Sequence, residues 1–263
     1  DLVRSRGLGD VYKRQGPFLQ RAFRGMTIYA RTPRLRGLFL LTFALSLGMA
    51  WVLVNTVVYA GARLGDADGL YPVLMAGYGL GAALGAIAVP RLLRRIEERS
   101  AMLAGVLVFA ALAAGFALLP QPPLALLLPI WAGFGLASSL VLTPGGLVIT
   151  RSAARQDRAA VFAAQFSLSH AGWLVAYPLA GWLASSAGLE HALLGLALIG
   201  VLVALVATRV WPAQDPLERM HSHPELPADH PHLRHNPGLG LAHRHVHAYH
   251  IDDLHQTWAK TPN

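Results

Sequence analysis

Six apolar stretches, at residues 37–60, 70–89, 101–119, 124–149, 159–185 and 191–208, are joined by short connectors whose arginines fall almost entirely on one side. A hydrocarbon core of about 30 Å takes roughly 20 apolar residues of helix to cross. Backbone in lipid has no water to bond, so such stretches satisfy their own hydrogen bonds as helices. Between Gly37 and Thr208 the acids are Asp66, Asp68, Glu97, Glu98, Asp157 and Glu190, all in connectors or at their edges. The predicted fold class is all-α: a polytopic membrane protein with six transmembrane helices.

Composition agrees. Hydrophobic residues make up 54% of the chain and charged residues 14%, against about 25% charged in soluble domains. The absence of cysteine excludes disulfides and thiolate metal sites, and leaves the redox compartment unread. The net charge of +8 is spread among loops, which argues against nucleic acid as a partner. Arg21, Arg24, Arg31, Arg34 and Arg36 precede the first span. Arg91, Arg94, Arg95 and Arg99 follow the second, Arg151, Arg155 and Arg158 the fourth, and Arg209 the sixth. The opposite connectors hold only Arg63. Positive charge collects on the cytoplasmic side, so both ends are expected in the cytoplasm, with the spans in a bacterial inner membrane.

The flanks differ in character. Residues 10–15, Asp-Val-Tyr-Lys-Arg-Gln, read as a translation of the transposase mosaic-end adapter GAT GTG TAT AAG AGA CAG. Residues 1–15 are therefore expected to be a sequencing artefact, with authentic sequence beginning near Gly16 as the downstream part of a longer gene. Residues 16–36 form a basic entry segment in which Phe18, Phe23 and Ile28 interleave with Arg21 and Arg24, the pattern of an interfacial amphipathic helix. Pro33 ends it. The membrane domain covers residues 37–210. Residues 211–263 turn to Pro, His, Asp and Glu, the composition of a disordered tail.

Two sequence features carry a family resemblance. Gly81-Ala-Ala-Leu-Gly85 runs into Pro90-Arg-Leu-Leu-Arg94-Arg95. This is similar to the loop motif of the major facilitator superfamily: Gly85, Arg94 and Arg95 match, while Val89 replaces the acid and Leu92 stands near the expected glycine. Residues 151–181, with Ser-Leu-Ser-His-Ala-Gly-Trp and Tyr-Pro-Leu-Ala-Gly, resemble bacterial efflux-type members. The resemblance implies the C-terminal half of such a transporter, built as two inverted three-helix repeats. Its partners would be the lipid bilayer and a missing N-terminal six-helix half, with the substrate cavity between the halves.

Polar groups at mid-membrane are functional candidates because they are costly there. His170 shares a helical stripe with Phe166, Trp173 and Tyr177. It can carry a proton, contact a metal or bond a substrate, or it can be a buried histidine paired with Ser167, Ser169 or a carbonyl. Asn55, flanked by Trp51 and Tyr59 one turn away, can line the cavity or hold helices together. Gln165 has the same two readings. Gly77, Gly81 and Gly85 form a small-residue stripe suited to close packing. Thr143-Pro144-Gly145-Gly146 and Tyr177-Pro178 are expected kinks.

All of the 12 histidines except His170 and His191 lie between His221 and His255. They are His221, His223, His230, His232, His235, His243, His245, His247, His250 and His255, mixed with Glu225, Asp229, Asp252 and Asp253. Neutral imidazole suits Ni²⁺, Co²⁺, Zn²⁺ and Cu²⁺, and clustered histidine is a compositional metal signal. The spacing matches no finger or HExxH site, so several weak, exchanging sites are expected. The combination is similar to nickel-resistance exporters of the superfamily. The leading expectation is a proton-coupled exporter of a small molecule. The alternatives are a Ni/Co-type metal exporter and a membrane-anchored metal-binding protein without transport. No phosphate loop, nucleophile elbow or paired intramembrane carboxylate points to an enzyme, and no cofactor is required.

Overall fold

The computed structural model describes residues 18–119, 122–227, 229–235 and 244–259, and for Phe18, Arg234 and His235 the backbone alone. Its helices are α1 (Phe18–Arg31), α2 (Pro33–Leu64), α3 (Ala67–Leu92), α4 (Glu98–Ala117), α5 (Leu124–Leu142), α6 (Gly145–Ser152), α7 (Arg158–Ala187), α8 (Leu189–Val210) and the short α9 (Pro231–His235). Two strands, β1 (Glu218–His221) and β2 (His245–Ala248), flank α9 in sequence. The chain divides into two compact units. One is Arg34–Val148 with Phe166–Ala213; the other is Asp1–Pro33, Ile149–Gln165 and Gln214–Asn263.

The six expected spans are present: α2, α3, α4, Leu124–Ser152, α7 and α8 are each long and apolar enough to cross a membrane. The first begins earlier than its apolar window. Pro33 occupies the first helical position, where its missing N–H costs nothing, so Arg34 and Arg36 belong to α2 rather than to the entry segment. The fourth span is interrupted at the expected place. Thr143 N–H still reaches the Ser139 carbonyl at 3.0 Å, and a new helix starts with Val148 N–H on the Pro144 carbonyl at 3.0 Å. Pro144 has no N–H to continue the ladder. Pro178, by contrast, sits inside an unbroken α7.

In the unit containing most of the spans, packing centres on aromatics. Trp51, Phe116, Trp131 and Phe134 are fully buried, with Tyr59 and Phe109 nearly so. Trp131 meets Phe116 edge-on at 5.5 Å and Phe134 at 5.9 Å between centroids. Buried indole N–H groups need acceptors, and both have one: Trp51 Nε1 donates to the Leu189 carbonyl at 2.8 Å, and Trp131 Nε1 to Thr56 Oγ1 at 3.1 Å. The glycine stripe does what small residues allow. A Cβ on Gly81 would fall 1.8 Å from the Ala132 carbonyl oxygen, and one on Gly135 1.9 Å from that of Tyr78. α3 and α5 therefore approach backbone to backbone, and Ser139 Oγ donates across to the Ala82 carbonyl at 2.7 Å.

In the other unit, α1 is the amphipathic helix expected from residues 16–36. Tyr29 donates to Gln165 Oε1. Arg24 holds Asp157 through Nε at 2.5 Å and Nη2 at 3.1 Å, and reaches Asp253 at 2.8 Å. Burial pushes the Tyr29 hydroxyl well above the usual phenol range. The expectation of a disordered tail differs from this structure. β1 and β2 pair antiparallel, with Glu218 opposite Ala248 and His221 opposite His245. Leu233, Tyr249 and Ile251 are buried. Composition undercounts this segment because its imidazoles pack against one another.

Candidate metal centre

Side chains alternate faces along a strand. His245 and His247 are two residues apart on β2, and His221 faces His245 across the ladder, so all three project from one face. His223 follows His221 by two residues. The helix α9 brings His232, and the turn after β2 brings His255. His223, His245 and His255 are buried.

The ring nitrogens are oriented in a common sense. His255 Nδ1 donates to Asp252 Oδ1 at 2.8 Å, and His223 Nδ1 to Glu225 Oε1 at 3.1 Å. His221 Nδ1 donates to the Arg219 carbonyl at 3.1 Å and His247 Nδ1 to that of Ala248 at 2.8 Å. Each bond fixes the Nδ1–H tautomer and leaves a lone pair on Nε2. Of those, the Nε2 atoms of His255 and His221 lie 3.0 Å apart and those of His223 and His255 3.1 Å; beside them, His232 Nε2 lies 3.0 Å from His245 Nε2. Nε2 of His247 is buried with no hydrogen-bond partner among the described residues.

Two neutral imidazoles that both give up their Nδ1 proton outward face each other lone pair to lone pair. A cation between them relieves that repulsion. A proton is disfavoured: burial, helped by the neighbouring imidazoles, lowers His221 and His232 to about 4 and His247 below the usual range. A metal fits better. Metal-bound histidine characteristically gives its other N–H to a carboxylate or carbonyl, the pattern seen here. A tetrahedral ion with bonds near 2.1 Å sets its ligand nitrogens about 3.4 Å apart. Two groups have ligand atoms all within 4.8 Å of one another: His221, His223, His232 and His255, and His221, His232, His245 and His247.

These six histidines form one compact cluster among the described residues. The sequence signal for it is His-x-His, which in a strand puts both rings on one face. His230 sits beside the cluster, its Nδ1 accepting from the His232 backbone at 3.2 Å. His250 belongs to neither group. His243 and the His235 side chain lie outside the described residues.

The intramembrane candidates separate. Asn55 is buried and its Nδ2 donates to the Ala180 carbonyl at 3.2 Å, while Trp51 and Tyr59 pack in the aromatic core. This face carries bulky rings that the bundle buries. Tyr59 lines a cavity of about 700 Å³ with Arg63, Phe116, Glu190 and His191. There Arg63 clasps Glu190 at 2.9 and 3.0 Å. His170 is exposed, its ring 4.0 Å from that of Phe166 and its Nδ1 bonded to the Phe166 carbonyl at 2.8 Å. That leaves its Nε2 lone pair outward. Trp173 stacks on Tyr177 at 4.9 Å. Gly85 packs against Ser139, and Arg94 and Arg95 are exposed in the turn after α3.

The family model of the Major Facilitator Superfamily matches residues 24–246. The chain belongs to this superfamily. No curated protein matches it. Membership explains the six spans: a facilitator is a membrane transporter, embedded in a bilayer. The match begins within α1 and ends within β2, so it takes in part of the amphipathic helix and part of the histidine cluster of this facilitator.

Proposed function

We propose that this facilitator exports a divalent transition-metal cation such as Ni²⁺, Co²⁺ or Zn²⁺, and that the histidine cluster captures the cation on the cytoplasmic side. The observation that carries the reading is the convergence of Nε2 lone pairs whose Nδ1 atoms are tied outward to Asp252, Glu225 and backbone carbonyls. The arginine asymmetry of the loops supports a cytoplasmic position for residues after α8. Metal is cargo here: six buried or half-buried imidazoles strip part of its hydration and hold it. The six spans act with an N-terminal half that completes the transport path.

The test is metal uptake into inside-out vesicles by the complete transporter. Removing residues 214–263 should lower uptake at limiting metal. Unchanged uptake would sink the proposed capture role.

A second reading, proton-coupled export of a small molecule, draws on His170. Its exposed ring has a lone pair directed away from its own helix, able to accept a proton. His170→Ala should then shift the pH dependence of transport while leaving metal binding intact.

A further inference from the structure

The two four-histidine groups share His221 and His232. An imidazole Nε2 offers one lone pair, so each shared ring serves one ion at a time. An ion held by one group denies the other its ligands. Dividing the six rings three apiece would set two dications close together among neutral ligands, with no anion between them to offset their repulsion.

The supports of the unshared pairs also differ. His255 and His223 are backed by carboxylates, Asp252 at 2.8 Å and Glu225 at 3.1 Å. On β2, His247 is backed only by the Ala248 carbonyl at 2.8 Å. A carboxylate makes the ligand ring more basic than a carbonyl does, so His223 and His255 hold an ion differently from His247. His232 and His245 nevertheless bring their Nε2 atoms within 3.0 Å, so no gap separates the positions.

We propose that the cluster holds a single divalent cation and passes it between two positions, keeping His221 and His232 while trading His223 and His255 for His245 and His247. Two metal–nitrogen bonds break as two form. Such a swap gives a captured ion a stepwise way off a site that would otherwise retain it. The inference rests on the metal reading of the cluster.

The experiment is a Co²⁺ titration of the full chain, purified in detergent without a histidine tag, followed by calorimetry and by the visible spectrum of the bound ion. Wild type should take one tightly bound Co²⁺. His221→Ala/His232→Ala should weaken it more than about a hundredfold, beyond the range for losing an outer-shell partner. His221→Gln/His232→Gln, which keeps polar side chains there, should do the same. His223→Ala/His255→Ala and His245→Ala/His247→Ala should each still bind one ion within about tenfold of wild type, with visible spectra that differ from each other. Two tight ions in wild type, or equal losses in all the paired variants, would overturn the shared-pair exchange while leaving metal capture standing. No Co²⁺ bound by wild type would overturn both.

Discussion

Nε2 of His255 lies 3.0 Å from Nε2 of His221, although the two residues are 34 positions apart in sequence. The first ring arrives on the turn after β2 and the second on β1. Both have their Nδ1 protons committed elsewhere, to Asp252 and to the Arg219 carbonyl. The pair is the shortest statement of what the segment does: it gathers lone pairs.

Asp252 holds the His255 ring and also accepts from the backbone N–H groups of Leu254 and His255 at 2.9 and 2.7 Å. In a His245→Ala/His247→Ala background, which leaves the ion only the carboxylate-backed position, Asp252→Asn should therefore weaken Co²⁺ or Zn²⁺ binding about 10- to 100-fold, the usual cost of losing an outer-shell carboxylate. Calorimetry on the full chain measures it. Wild-type affinity in the variant would mean the ring is positioned without Asp252.

Acid should loosen the metal-free cluster. His221 and His232 titrate near 6.5 when unfolded and about 4 when folded, because burial opposes their charge. Below 6.5 the unfolded segment binds more protons than the folded one, so stability falls as pH drops from 6.5 to 4. Hydrogen exchange of the β1–β2 amides should speed up across that window, and saturating Zn²⁺ should suppress the change. Flat exchange rates would remove burial as the cause.

Arg24 links two acids of very different exposure. Asp157 has a side chain 6% exposed and Asp253 one 87% exposed. Arg24→Ala strands a buried carboxylate and should cost about 1–3 kcal/mol. Asp253→Ala breaks an exposed pair and should cost about 1 kcal/mol or less. Thermal unfolding in detergent ranks them; equal losses would contradict the ranking.

Close helix approach gives another paired comparison. Gly81→Ala places a methyl against the Ala132 carbonyl, whereas a methyl added at Gly79 would meet nothing within 4 Å. Gly81→Ala should destabilise by about 1–3 kcal/mol through overpacking. Gly79→Ala should be neutral or stabilise by up to about 1 kcal/mol, since alanine is the better helix former. Melting temperatures of the two variants decide it.

Asn55 donates to the Ala180 carbonyl between α2 and α7. Asn55→Ala should cost about 0.6 kcal/mol and at most about 1.7, the average and the maximum for such bonds between spans, and leave transport KM unchanged. A KM shift without loss of stability would restore the residue to the substrate path.

The sequence alone determined the membrane fold. Apolar runs of bilayer length have one solution in lipid, and Pro33 and Pro144 mark where helix must start or stop for want of an N–H. The amphipathic α1 was equally legible, because its pattern is local. Tertiary structure decided which polar residues meet. Asn55, Trp51 and Tyr59 share one helical face in any reading, but only the positions of Ala180, Leu189 and Trp131 show that this face is packed inside the bundle. The histidines show the same limit most clearly. Composition registered their number, yet their convergence depends on β1 pairing with β2 in a register that sets His221 opposite His245. That register joins residues far apart in the chain, and a strand slipped by one position would turn His245 and His247 to the opposite face.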